Sequence, residues 1–233
     1  MNLTSPQFAG FMLCVGIALL PVASIAQNQA ATPSRSPGAK PSPSISTPKY
    51  TNEQLQEMAS KLQDRIHSAT DQVMGRIQKQ ESDLYIRFSY FDKPNRLDPN
   101  TYGSQEDIAV WQKSLQQFRG VAETLQRLYA DADQDLGNAL VQQRINPALT
   151  EQIKNELLKT FPWERIRKKN QLIQEFIAEH EELLALYDKN WASRKPGPSP
   201  FEDQNLAATY QSLKEKITAT GQQIEGEYKA MLQ

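Results

Sequence analysis

Residues 105–143 read QEDIAVWQKSLQQFRGVAETLQRLYADADQDLGNALVQQ, and their apolar positions decide the fold. Ile108, Trp111, Leu115, Phe118, Ala122, Leu125, Tyr129, Ala132, Leu136 and Ala139 follow one another in alternating steps of three and four. An average of about 3.5 residues per repeat is the period of an α-helix whose apolar stripe lies along a partner helix. A strand needs a period of two, and no segment sustains one. The heptad spacing returns through Ile166, Asn170, Ile173, Ile177, His180, Leu184, Tyr187 and Trp191, and again through Leu206, Tyr210, Leu213, Ile217, Thr220, Ile224, Tyr228 and Met231. The first segment is similar but looser: Leu55, Ala59, Leu62, Ile66, Ala69, Val73, Ile77, Leu84, Phe88 and Phe91.

Local end signals frame these stretches. Thr51-Asn52-Glu53-Gln54 and Ser104-Gln105-Glu106-Asp107 have the form of capping boxes, in which side chains satisfy the first free amides of a helix. Asn146-Pro147 sets a cap residue before a proline at the first helical position. Pro94, and later Pro196-Gly197-Pro198, stop helices, while Pro162 kinks or breaks the third near Thr160. The expected helices cover about 52–91, 105–143, 149–191 and 203–232, the first three roughly 60 Å long. Short connections join such rods only as antiparallel neighbours. The expected fold is all-α, an elongated antiparallel four-helix bundle built on heptad seams. Helical hairpins that open and pair with a second chain, and hence a homodimer, stay open. Gly75, Gly120, Gly137 and Gly221 lie inside these helices, each at about 1 kcal/mol relative to Ala.

Upstream of Tyr50 the composition changes. The first 34 residues carry no charged side chain, and Phe8 to Ala26 is an uncharged, mostly apolar run of nineteen ending in Ser24-Ile25-Ala26. Small residues two apart suit signal-peptidase cleavage after Ala26, so residues 1–26 are expected to be a signal peptide. The run is also just long enough to remain as an uncleaved anchor. Residues 27–49 interleave Pro33, Pro37, Pro41, Pro43 and Pro48 with serines and offer no apolar surface to offset the entropy of ordering, so they are expected to form a disordered linker. Residues 50–233 form the helical body. The expected location is outside the cytoplasm, periplasmic or extracellular, with membrane contact only through residues 8–26 if they are retained.

Composition narrows the chemistry. Of the 233 residues, 26 are Lys or Arg and 27 Asp or Glu, a net charge of -1 that steers the chain to no polyanion. One cysteine and two histidines leave little for disulfide, metal or acid–base work. His180 in Glu179-His180-Glu181-Glu182-Leu183-Leu184 lacks the second histidine of a zinc-protease helix, and neither His180 nor His67 has a glutamate three residues before it, as di-iron bundles require. Placed on antiparallel helices, the two histidines are roughly 24 Å apart and cannot share a metal. No haem-attachment, glycine-rich phosphate or nucleophile-elbow motif occurs. No catalytic residue, cofactor or metal is expected. Arg165, Arg167, Lys168 and Lys169 form the one dense basic run, badly placed for the dipole at a helix start. It lacks the interleaved aromatics of a nucleic-acid surface and would suit, at most, an acidic partner or lipid.

Antiparallel threading gathers Tyr85, Phe88, Tyr90, Phe91, Tyr102, Trp111, Tyr187, Trp191 and Phe201 at one end of the rods. Such rings plug a core or anchor a partner, and Phe88, Phe91, Tyr102, Trp191 and Phe201 are the candidate contact residues. Tyr50-Thr51-x-x-Gln54 resembles the Leu-Thr-x-x-Gln motif of small periplasmic stress chaperones of the Spy and CpxP type, over five residues and with Tyr in place of Leu. That resemblance implies a holdase-like chaperone. The residues themselves point to an exported, non-enzymatic helical protein that works by contact with a protein partner.

Overall fold

The computed structural model describes residues 50–197 and 200–231, and every regular element in them is helical. The expected targeting segment and Pro/Ser linker, residues 1–49, lie outside the described residues. Helix α1 spans Asn52–Phe91, α2 Gln105–Ala130, α3 Ala132–Gln142, α4 Pro147–Lys159, α5 Trp163–Lys189 and α6 Gln204–Met231. Short 3-10 turns at Pro94–Leu97, Pro99–Thr101 and Trp191–Ser193 fill the connections at one end.

The caps form as their residue types dictate. Thr51 Oγ1 accepts from the Gln54 amide at 3.2 Å while Gln54 Oε1 accepts from the Thr51 amide at 2.9 Å. The five residues that resemble the chaperone motif are thus a helix cap here. Ser104 and Asp107 make the second box, and Asn146 Oδ1 accepts from the Ala148 amide beside Pro147. Two long expected helices are divided. The stretch 105–143 bends at Asp131 (φ -88°, ψ -4°), whose amide still donates to the Arg127 carbonyl and whose carbonyl still accepts from the Asp135 amide. The stretch 149–191 starts earlier, at Pro147, and stops at Lys159. Pro162 has no N–H for the Leu158 carbonyl, which accepts from the Phe161 amide at 3.3 Å and from the Trp163 indole at 2.9 Å.

Contacts set the directions. Arg76 meets Asp135 at 2.8 Å, Glu81 meets Tyr129, and Phe91 stacks on Phe118, so α1 runs antiparallel to α3 and α2. Gln105 reaches Asp188 and Arg119 reaches Glu181, which pairs α2 antiparallel with α5. Arg165 with Glu227, Thr220 with Glu179 and Tyr187 with Tyr210 do the same for α5 and α6. The seam positions fill one continuous core, including Ile77, Leu84, Phe88, Leu115, Phe118, Leu125, Phe176, Ile177 and Ile224. Burial on α1 begins only at Ala69; its first turns stand beyond the end of α3.

Two backbone positions carry cost. Arg144 has φ 57°, a left-handed conformation in which a side chain is strained, because the α3–α4 turn closes with the Ile145 amide on the Leu140 carbonyl. Gly221 lies directly under the Asp92 carboxylate, and a Cβ there would also come within 3.4 Å of Phe176. Gly75 and Gly120 face open space. Alanine at Gly75 or Gly120 is therefore expected to raise stability by about 0.5–1 kcal/mol, and alanine at Gly221 to lower it, measured by urea denaturation.

Candidate functional site

Where the α2–α3 and α4–α5 breaks meet the body, charge is buried. The Lys169 ammonium on α5 has no exposed surface and is ion-paired with Glu81 of α1. The Tyr129 hydroxyl of α2 donates to Glu81 Oε1 at 2.6 Å, and the Tyr228 hydroxyl of α6 donates to Oε2 at 3.3 Å. Both rings also flank the ammonium, 5.7 Å and 5.3 Å from it. Burial pushes Lys169 down from its ordinary range, with Glu81 pulling the other way, and pushes Tyr129 and Tyr228 far up. Both phenols therefore stay neutral at neutral pH, and the lysine depends on its partner Glu81 to keep its charge.

Three of the four bases in the dense run are spent in or beside this centre, Lys169 on Glu81 and two others on α6. Arg165 and Lys168 both bind Glu227 of α6, the latter at 2.6 Å, and together they hold its carboxyl below the usual range. Carboxylates from α1 and α6 explain why bases stand at the start of α5. One signal of the centre lay in the sequence: Ile77 and Leu84 are seven apart, and Glu81 occupies the seam position between them. Lys169 gave none, since it lies beside the apolar stripe rather than in it.

At the other end the aromatic residues do gather, and they hold the connection between α1 and α2. The Tyr187 and Tyr210 hydroxyls both donate to the Leu97 carbonyl at 2.8 Å, and the Tyr102 hydroxyl donates to that of Arg96 at 3.0 Å. Arg194 donates to the Pro99 and Tyr102 carbonyls and stacks on Trp191; Arg96 stacks on Trp111. Of the five candidate contact residues, Phe88, Phe91, Tyr102 and Phe201 are buried and Trp191 is half-buried. The arginines and the Leu97 carbonyl escaped sequence reasoning, because hydrogen bonds to backbone leave no mark on side-chain spacing.

Beneath this plug His180 is enclosed by Phe91 and Phe176. Its Nδ1–H donates to the Phe176 carbonyl at 3.0 Å, and its Nε2 meets no protein partner. Burial pushes its pKa down to about 4, against the pull of the Phe176 and Phe91 backbone. Nearby, Asp92 caps α1, half-buried on Gly221; burial and then the Glu225 carboxylate push it up to about 6. His67 is exposed beside Asp71.

Among the described residues no cluster of three or more His, Cys, Asp or Glu is placed to hold a metal ion, and no helix is long and apolar enough to cross a membrane. A shallow hollow of about 420 Å³ lies at the α4–α5 break, lined by Asn155, Leu158, Lys159 and Trp163. Comparison with protein-family models, with curated proteins and with solved structures gave no match.

Two tests follow from the buried groups. Lys169→Met alone leaves a buried, unpaired carboxylate and should cost about 3–5 kcal/mol, whereas adding Glu81→Gln, which keeps an acceptor for the tyrosines, should recover most of it in a denaturant titration. For pH the signs oppose. Between pH 6.5 and about 4 the unfolded chain takes up a proton at histidine that folded His180 refuses, so stability falls. Between about 6 and 3.8 folded Asp92 takes one up that the unfolded chain does not, so stability rises. Asp92→Asn should thus steepen the loss of thermal stability from pH 6.5 to 4, and His180→Gln should flatten it, each compared with the parent chain at the same pH values.

Proposed function

We propose that this chain is an exported, non-enzymatic helical protein that acts through protein contacts in the cell envelope or outside the cell. Residues 1–26 would direct export, or residues 8–26 would stay as an anchor. Residues 27–49 would be the spacer, and residues 50–233 an elongated antiparallel four-helix bundle with heptad seams. The observation that carries this reading is the closure of the interior. Lys169, Tyr129, Tyr228, Tyr187 and His180, whose protonation burial perturbs, lie in the core and not in a cleft, and half-buried Asp92 caps α1 against Gly221. A catalytic group needs a perturbed environment together with access for substrate, and here the first comes without the second. The favoured contact is the aromatic end, where Trp191 is presented on a base shaped by Phe88, Phe91, Tyr102 and Phe201.

A second reading, the holdase-like chaperone, draws on the exposed apolar side chains of Tyr50, Leu55 and Met58. Two measurements decide. Crosslinked recovery of the tagged chain from cell envelopes should return a partner whose yield drops with Trp191→Ala; unchanged recovery removes the aromatic end from the proposal. Added to a thermally denatured test protein, the chain should leave the course of aggregation unaltered, and suppression at stoichiometric amounts would favour the chaperone instead. N-terminal sequencing of the recovered protein distinguishes cleavage, which begins it at Gln27, from a retained anchor.

A further inference from the structure

Between residues 86 and 113 the charges are balanced in number and divided in place. The four acids, Asp92, Asp98, Glu106 and Asp107, are spent on the local frame. Asp92 turns to Gly221 of α6, Asp98 accepts from the Asn100 amide at 2.9 Å, and Asp107 accepts from the Gly103 and Ser104 amides. Glu106 faces Ser104 and its own amide at the start of α2. The four bases, Arg87, Lys93, Arg96 and Lys113, have no carboxylate partner among the described residues.

These bases surround one exposed apolar face. Arg87 donates to Gln117 across the α1–α2 seam at 3.4 Å. Seven residues back along α2 is seven on along antiparallel α1, so Val110 lies level with residue 94, past Phe91 where α1 ends. Val110 is 61% exposed there, and Tyr90 and Ile86 on the last turns of α1 are 52% and 44% exposed. Lys113, three residues after Val110 and four before Gln117, shares their side of α2. The Lys93 ammonium stands 5.1 Å from the centre of the Tyr90 ring. The Arg96 guanidinium lies 3.7 Å from the centre of the Trp111 ring, and its buried Nε finds no acceptor among the described residues. Stacking holds that planar fork in place before a ligand arrives, and the fork matches a carboxylate.

The geometry points to an acidic protein segment as the occupant of this face, its carboxylates on Arg96 and the lysines and an apolar side chain between Tyr90 and Val110. This rests on the reading that the chain works by protein contact, and it names the chemistry of the partner. A segment fits where an anionic lipid layer does not. Asp83, one turn before Arg87, and Glu106, one turn before Val110, bound the face, and a flat layer would meet both. About five extended residues, at about 3.3 Å each, span the bases and stop short of those acids. Exposed charges set the strength, so binding is weak and salt-sensitive, with a Kd of roughly 100 µM.

The test titrates the full chain into a labelled peptide of about ten residues, glutamates flanking one phenylalanine, and follows anisotropy. Binding should saturate and weaken at least ~fivefold in about 0.5 M sodium chloride. Lys93→Glu with Lys113→Glu, both exposed, should weaken it at least ~tenfold while circular dichroism and melting temperature stay as in the parent. Arg96→Lys, which keeps the charge and loses the fork, should cost at least ~threefold. Lys79→Glu with Arg127→Glu, the same change of charge elsewhere, should stay within ~twofold. No binding, equal binding of a peptide with glutamine for glutamate, equal losses from the two double variants, or binding to phosphatidylserine vesicles that Lys93 and Lys113 govern would each overturn the proposal. Any of these beside a Trp191-dependent partner from envelopes removes only the acidic segment; recovery of no partner at all overturns the wider reading.

Discussion

A lysine ammonium with no access to water has to find its counter-charge inside the protein, and that requirement governs how the long helices of this chain stack. Lys169 on α5 meets Glu81 on α1, and the carboxylate is completed by hydroxyls from α2 and α6. Sliding any one of the four by a turn, about 5.4 Å, would leave a buried charge or a buried hydroxyl without its partner. An apolar seam tolerates such a slip more easily, since one leucine layer resembles the next. Heptads bring the helices together; the polar centre selects one register among those they permit.

The two ends of the body solve different problems. At the polar centre the helices are interrupted, by Asp131 in one stretch and Pro162 in the other. At the aromatic end the chain must cross from α1 to α2 through residues 92–104, a connection with few backbone hydrogen bonds of its own. Tyr187, Tyr210, Tyr102 and Arg194 supply donors to its carbonyls. Phe88, Phe91, Tyr102 and Phe201 thus close the core, the Tyr102 hydroxyl helps to hold the loop, and Trp191 stays half-buried beside it.

The sequence reading of polar groups went furthest where the answer was local. The capping pairs Thr51–Gln54 and Ser104–Asp107, the cap at Asn146 and the break at Pro162 all form as written, because each depends on residues within one turn. The place of His180 in a seam was legible too, and its enclosure by Phe91 and Phe176 follows from that place. Its protonation and that of Asp92 were not legible, since both shifts come first from burial, which the packing of the other helices creates, and for Asp92 also from Glu225 on α6. Of the interior glycines only Gly221 marks a close approach, and nothing in its neighbours distinguished it from Gly120.

By itself the sequence determined that the body is helical, where the caps at Thr51, Ser104 and Asn146 form, and which face of each long stretch is apolar. Periodicity and capping are properties of neighbouring residues and survive in isolation. Only the tertiary structure decided what the charges do and where the seams run out of cover. Glu81 and Lys169 are 88 residues apart, and Arg165 and Glu227 are 62 apart. A charge takes its energy from whatever surrounds it in space, and those surroundings exist only once the rods are assembled.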